Sequence, residues 1–237
     1  MEIKIVFDNN NLNENFIPGW GFSCLIDKTV LFDTGEKSEY LFKNMENLEI
    51  DISKIETVII SHDHWDHTGG LWGLLENTED IDVYGCPNFS DEFKEKVVSL
   101  GGNLISTRGL TEIKDGISAT GEIEGKYKGS FIAEQALLIK KKEGIIIITG
   151  CSHPGIVKIV KDIKDIFPGE NINLVFGGFH LMNKDTREIE LIVEKFKDLE
   201  VEKVGPTHCT GYEAQVMFEK VYKENFIRIT AGKTFEV

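Results

Sequence analysis

The sequence predicts a mixed α/β fold, and three observations carry that reading. Short runs rich in Ile, Val, Leu and Phe, bounded by turn residues, recur along the chain. Segments with apolar residues at helical spacing alternate with them, most regularly in the second half. The residues able to do chemistry fall where apolar strands end, which is where open α/β sheets place their ligand sites.

Taken in order, residues 2–7, 21–27 and 29–33 read as strands. A helix follows over 38–47, with Tyr40, Leu41, Met45 and Leu48 on one face. Residues 57–60 form a fully apolar strand that runs directly into a histidine cluster. A helix over 91–100 starts from a Ser90 cap. Strands are expected at 131–140 and 144–149, with Lys140-Lys141-Lys142 turning between them. A helix covers 156–167, and the strand 173–176 enters the turn Gly177-Gly178. A helix over 186–199 leads to a strand at 203–205 that ends in another His. The helix 213–222 and a last strand at 226–230 complete the chain. The two halves share a plan, as a duplicated sandwich would.

No linker, low-complexity run or composition break divides the 237 residues, so one domain over 1–237 is expected. The longest apolar runs, such as 144–149, are far too short to span a bilayer. The amino terminus lacks the basic-then-apolar pattern of a secretory signal, which points to a soluble cytoplasmic protein. A net charge of −14 argues against a nucleic-acid partner, because such proteins gather Lys and Arg against phosphates. The four cysteines, Cys24, Cys86, Cys151 and Cys209, are scattered without a CxxC pair, and no disulfide framework is expected. Cys86, followed by Pro87, reads as a buried or loop thiol.

The strongest signal is Ser61-His62-Asp63-His64-Trp65-Asp66-His67-Thr68-Gly69-Gly70. Half of the six histidines of the chain lie in it. Imidazole and carboxylate are the usual ligands of zinc, manganese and iron. On a loop curled round a cation, His62 and His64 can point at one centre, and Asp66 and His67 at a neighbouring one. Two such ions would activate water and hold an anionic oxygen.

The spacing His62-x-His64-x-Asp66-His67 resembles the HxHxDH signature of the metallo-β-lactamase superfamily. The resemblance extends over nearly the whole chain. It implies a four-layer αββα sandwich, two mixed sheets between helices, with two divalent metal ions at one sheet edge. By the family's pattern, His62, His64 and a later His hold the first ion; Asp66, His67 and a final His hold the second. Leu31-Phe32-Asp33-Thr34-Gly35 resembles the family's first motif, whose Asp steadies the metal loop. Asp-Thr-Gly is also the aspartic-protease triplet, but one copy beside a histidine cluster favours the metal reading.

Thr149-Gly150-Cys151-Ser152-His153 resembles the fourth motif, with Cys151 where an Asp usually bridges the ions. Thiolate is a good zinc ligand, and His153 lies two residues on, so Cys151 and His153 are both candidate ligands. His208, in Pro206-Thr207-His208-Cys209-Thr210-Gly211, resembles the last metal ligand, and Cys209 is read as structural. His180, in Gly177-Gly178-Phe179-His180-Leu181, resembles the general-acid position of tRNA-end-processing nucleases. Asp66 and His180 are therefore the catalytic candidates. No His lies between His67 and Cys151, which leaves the third-motif ligand open: Glu134 is one candidate, with a surface carboxylate as its other reading, and His153 is another.

Gly19–Ser23, 61–71, 134–137, 150–156, 178–181 and 206–211 together resemble one branch of the superfamily. That branch is the dihydropterin-6-methyl-ribofuranosylaminobenzene-phosphate synthase-like metal-dependent hydrolases. The resemblance implies a hydrolase that acts on a small anionic, phosphorylated substrate through metal-activated water. The alternative is a transferase joining a dihydropterin diphosphate to an arylamine ribose phosphate with release of pyrophosphate. A third reading is a non-enzymatic metal- or ligand-binding domain. Zinc leads the candidate ions, ahead of manganese, iron and magnesium. Trp20, Trp65, Trp72 and Phe179 are candidates to stack a pterin ring. The expected partner is a small anionic molecule, with neither nucleic acid nor membrane; the sequence leaves the oligomeric state open.

Overall fold

The computed structural model describes residues 1–237, and the chain divides in two: Met1–Arg108 with Ile229–Val237, and Gly109–Arg228. In the first unit, β1 (Glu2–Phe7), β2 (Ser23–Ile26) and β3 (Val30–Phe32) are followed by α1 (Ser38–Asn47) and β4 (Thr57–Ile59). The one-turn helix α2 (Trp65–Thr68), α3 (Leu71–Asn77), β5 (Asp82–Gly85), α4 (Asp91–Ser99) and β6 (Asn103–Ser106) come next. The C-terminal strand Thr234–Glu236 heads the sheet, and β1 to β6 follow in sequence order. Pairing is antiparallel from that strand as far as β3 and parallel from β3 to β6. β3, where the sense changes, is the fully buried apolar run Val30-Leu31-Phe32, and β4, paired in parallel on both sides, buries Val58 and Ile59 after a half-buried Thr57.

α1 forms over the expected residues and buries Leu41 and Met45, with Asn44 between them. Asn44 is satisfied by backbone: its Nδ2 donates to Val6 O and Ile17 O, and its Oδ1 accepts from Ile17 N. α4 starts where the sequence placed its cap, with Ser90 Oγ accepting from Phe93 N at 3.3 Å.

The second unit opens with β7 (Thr111–Lys114), β8 (Ile117–Ala119), β9 (Ile123–Tyr127), β10 (Ser130–Glu134), β11 (Leu137–Lys141) and β12 (Gly144–Thr149). It continues with α5 (Ile156–Ile166), β13 (Ile172–Gly178), α6 (Thr186–Asp198), β14 (Lys203–Thr207) and α7 (Tyr212–Tyr222). Its sheet runs β14-β13-β12-β11-β8-β7, parallel from β12 to β14 and antiparallel elsewhere. β9 and β10 form a hairpin sheet of their own. α5 buries Ile156, Ile159, Val160 and Ile163, and α6 buries Ile189, Val193 and Phe196. Both sets repeat at helical spacing, as an amphipathic helix on a core requires. Phe179, Phe196 and Phe218 form the aromatic centre of that core, with centroids 5.2–5.5 Å apart.

Two expected elements are corrected. Residues 131–140 are not one strand: the run breaks at Gln135 and Ala136, and β10 and β11 join different sheets. The break is hydrogen-bonded, Ala136 N donating to Thr120 Oγ1 and Thr120 N to Ala136 O. Residues 226–230 alternate like a strand but make only a single bridge, Phe226 with Val204. The strand that pairs is Thr234–Glu236, against β1. No helix is long and apolar enough to cross a membrane.

Candidate metal centre

In the first unit, adjacent parallel strands β3 and β4 end side by side, so Asp33 meets the loop that begins at Ile60. Asp33 Oδ1 accepts from Ser61 N at 2.7 Å, and Oδ2 accepts from Ser61 Oγ at 2.7 Å. Oδ2 also lies 2.6 Å from His67 Nδ1. Burial pushes the Asp33 carboxyl up, and His67 and Ser61 offset this only in part. His62 Nδ1 is 2.9 Å from Ser61 Oγ. Both rings are thus oriented through Nδ1, which leaves Nε2 as the nitrogen suited to a metal. The His62 ring centroid lies 4.8 Å from that of His64 and 4.2 Å from that of His67. Asp66 Oδ2 is 3.6 Å from His67 Nε2. Gly21 clears the Asp66 backbone, since a β-carbon there would fall 2.2 Å from Asp66 O.

In the second unit, the parallel neighbours β12, β13 and β14 end at one sheet edge. Their ends deliver Cys151 and His153, His180, and His208 in turn. Cys151 Sγ is 3.4 Å from His208 Nε2. The rings of His153 and His180 lie 4.6 Å apart. One donor atom each of Cys151, His153 and His180 falls within 4.8 Å of the others.

Glu134 does something the sequence left open. Its Oε1 accepts from Cys151 N at 3.1 Å and Ser152 N at 2.6 Å; its Oε2 accepts from His153 N at 2.7 Å and lies 2.9 Å from His153 Nδ1. Both oxygens are spent on the 151–153 loop. Glu134 is therefore a brace that orients His153. Burial pushes the Glu134 carboxyl up, but His153 and the N–H groups of Ser152 and His153 outweigh it and hold the acid below its ordinary value.

Cys209, read from the sequence as structural, reaches the same cluster: its Sγ lies 3.5 Å from Cys151 O. Burial raises its thiol, yet Cys151, His208 and His180 together bring it well below the usual range. The hydrogen bond with Cys209 is the main cause that raises His180. His180 Nδ1 is buried and has no hydrogen-bond partner. Asp33, Ser152, His180 and His208 all hold left-handed backbone, with φ of 54°, 68°, 54° and 49°. Such strain in non-glycine residues gathers at functional sites.

The donor spacings fit a cation. Bonds of about 2.0–2.3 Å in a tetrahedral set put neighbouring N and O ligands roughly 3.3 Å apart, and S and N roughly 3.6 Å apart. Asp66 with His67, and Cys151 with His208, match this spacing at 3.6 and 3.4 Å. Of the four aromatic candidates, Phe179 belongs to the core trio, and Trp72 packs on Phe93 under Lys96. Trp20 and Trp65 are 38% and 59% exposed. Three residues of the site escaped the sequence reading in part: Glu134 as a brace, Cys209 as a neighbour, and Tyr127, whose ring stands 5.2 Å from that of His153.

Two mixed sheets with helices, and histidine-rich loops at their strand ends, define a metallo-β-lactamase fold. Residues 22–208 match the model of the metallo-beta-lactamase superfamily, and the chain belongs to that family. It is similar to the 7,8-dihydropterin-6-methyl-4-(beta-D-ribofuranosyl)-aminobenzene-5'-phosphate synthase of Methanocaldococcus jannaschii, at 34% identity over 95% of this chain and 92% of that one. A solved metal-dependent hydrolase of the beta-lactamase superfamily superposes with a TM-score of 0.83 at 33% identity, covering 100% of this chain and 99% of that one. The ribonuclease Z of Methanococcus aeolicus is 35% identical over 82 residues, 32% of this chain and 24% of that enzyme.

Proposed function

We propose that the protein is a metal-dependent transferase that joins a dihydropterin diphosphate to an arylamine ribose phosphate and releases pyrophosphate. The observation that carries this reading is the 34% identity with the Methanocaldococcus synthase, which spans nearly the full length of both chains. The ligands proposed are His62, His64, Asp66 and His67 from the first unit, and Cys151, His153 and His208 from the second. Imidazole, carboxylate and thiolate together favour zinc over the harder ions, and two ions suit seven donors. Bound divalent ions would supply the positive charge that holds a diphosphate and draws electrons from its bridging oxygen.

The protein's own groups do the rest. In transfer, the arylamine nitrogen bonds to the pterin methylene carbon, the carbon–oxygen bond to the diphosphate breaks, and the nitrogen loses a proton. His180 takes that proton at Nδ1, the buried atom that has no other partner. Asp66 holds the loop's second donor position beside His67. Trp20 and Trp65, 38% and 59% exposed, are the rings on which a pterin would stack. The whole chain, 1–237, acts as one catalytic body in the cytoplasm under this proposal.

Hydrolysis of a small phosphorylated substrate is the second reading, favoured by the likeness to a solved metal-dependent hydrolase. There His180 would give its proton to the leaving oxygen. The similarity to part of ribonuclease Z means that acidity alone does not dismiss RNA.

The test is pyrophosphate release from dihydropterin diphosphate by the zinc-loaded protein, with and without the arylamine ribose phosphate, beside a His64→Ala control and a precursor-tRNA arm. Release that depends on the arylamine is expected. Release without it supports the hydrolase, and cleavage of the tRNA alone moves the assignment to a nuclease.

A further inference from the structure

The hairpin β9–β10 stands outside both large sheets and reaches the histidines of the second unit. Its base is fixed by close backbone packing. A β-carbon on Gly125 would come within 2.9 Å of Pro154 N and 3.1 Å of His153 Cβ. Strand alternation turns Tyr127 to the same side as Gly125. The Tyr127 ring stands edge-on to His153 at 5.2 Å and to His180 at 6.2 Å.

Lys128 and Gly129 close the hairpin between the paired residues Tyr127 and Ser130. Both have positive φ, 49° and 83°, as the tight type I′ turn requires. A turn of this kind fixes where Lys128 leaves the backbone. Its Nζ lies 5.0 Å from the centroid of the Tyr127 ring, and no carboxylate pairs with it. Lys128 is exposed and is linked to the rings of His153 and His180 through Tyr127, so in a chain of net charge −14 its ammonium is available to an anion.

We infer that this hairpin is the substrate-recognition element of the site: Lys128 takes the phosphate on the ribose of the acceptor, and Tyr127 is a positioning residue for His153 and His180. The inference rests on the transferase reading for the identity of the acceptor. Its chemistry is independent of that name. An ammonium held over a ring face by cation–π attraction alone is free to turn to a phosphate dianion, which it binds more strongly. The acceptor phosphate is remote from the diphosphate, so cations that hold the diphosphate do not serve it.

The test compares KM for the arylamine ribose phosphate with KM for its dephosphorylated analogue, in zinc-loaded wild type and Lys128→Met. The variant should raise KM about tenfold for the phosphorylated acceptor, the effect of one charge-assisted hydrogen bond, and move it little for the other. An unchanged ratio of the two KM values overturns the role of Lys128. Tyr127→Leu should lower kcat about tenfold, and Tyr127→Phe should restore it; full kcat in Tyr127→Leu overturns the positioning role. If wild type releases no pyrophosphate, the transferase reading falls, and calorimetric titration with D-ribose 5-phosphate takes over. Binding by wild type that is about tenfold tighter than by Lys128→Met keeps the hairpin assignment. Equal affinity, or no binding by wild type, removes it.

Discussion

Asp33 gathers Ser61 and His67 across 28 and 34 positions of chain, and Glu134 gathers the 151–153 loop across 17 to 19. Each carboxylate fixes a histidine of the proposed ligand set through Nδ1, so under that proposal each would act on the metal without touching it. Asp33→Asn keeps the shape and removes the charge. It should weaken zinc binding by about 10–100-fold, the usual effect of losing an outer hydrogen-bond partner, as read by competition with a chromophoric chelator. Zinc affinity equal to wild type would refute that role for Asp33. Glu134→Gln turns an amide NH2 toward N–H groups that need acceptors. A loss of about 1–3 kcal/mol in urea unfolding is expected from the buried donors left unmatched. The sequence displayed the donors of residues 62–67 because they are contiguous. It did not display the jobs of Glu134 and Cys209, whose partners lie on other strands and are brought close only by the sheet.

At the scale of elements, the long helices were legible, since α1, α5, α6 and α7 each hold enough turns for the 3.6-residue period to show. The short strands β5 to β9 were not, because three to five residues carry too little pattern. Residues 226–230 misled because alternation is necessary for a strand but a pairing edge is what makes one. Ser90→Ala should cost about 1 kcal/mol through its helix cap. Phe196→Ala should cost about 3–5 kcal/mol by emptying the aromatic centre of the second unit, while zinc binding stays intact; both are read from denaturant midpoints. α6 also predicts a pH effect. Lys184 and the Asp185 N–H hold the Glu188 carboxylate below its ordinary value. The folded value lies under the unfolded one, so the support is complete above the unfolded carboxylate range, about 4.3, and is lost as pH falls through the folded value. The stability gap between wild type and Glu188→Gln should therefore be present at neutral pH and close in acid. A gap that persists at low pH would contradict this account.

For the molecule as a whole, the proposed ligand sets would tie stability to metal. Saturating zinc at about a thousand times its dissociation constant adds roughly 4 kcal/mol to a folded state that alone binds it. Thermal unfolding with zinc and with a chelator should differ accordingly, and identical transitions would count against the ligand sets. The family was legible before the structure because its signature occupies one loop, and the mixed sheets follow from the switch between antiparallel and parallel pairing in each unit. What no linear reading supplied was the role of the β9–β10 hairpin, which pairs with neither large sheet.

That separateness bears on how such a protein acquires new substrates. A strand inside a large sheet cannot be altered without disturbing ladders on both sides, whereas residues 124–133 can be exchanged as a cassette. Gly125, which admits the 151–155 loop, Tyr127 beside His153 and His180, and Glu134 at the base are the residues to keep. A hairpin grafted from a relative should thus carry its substrate preference with it, while the two large sheets keep their ladders.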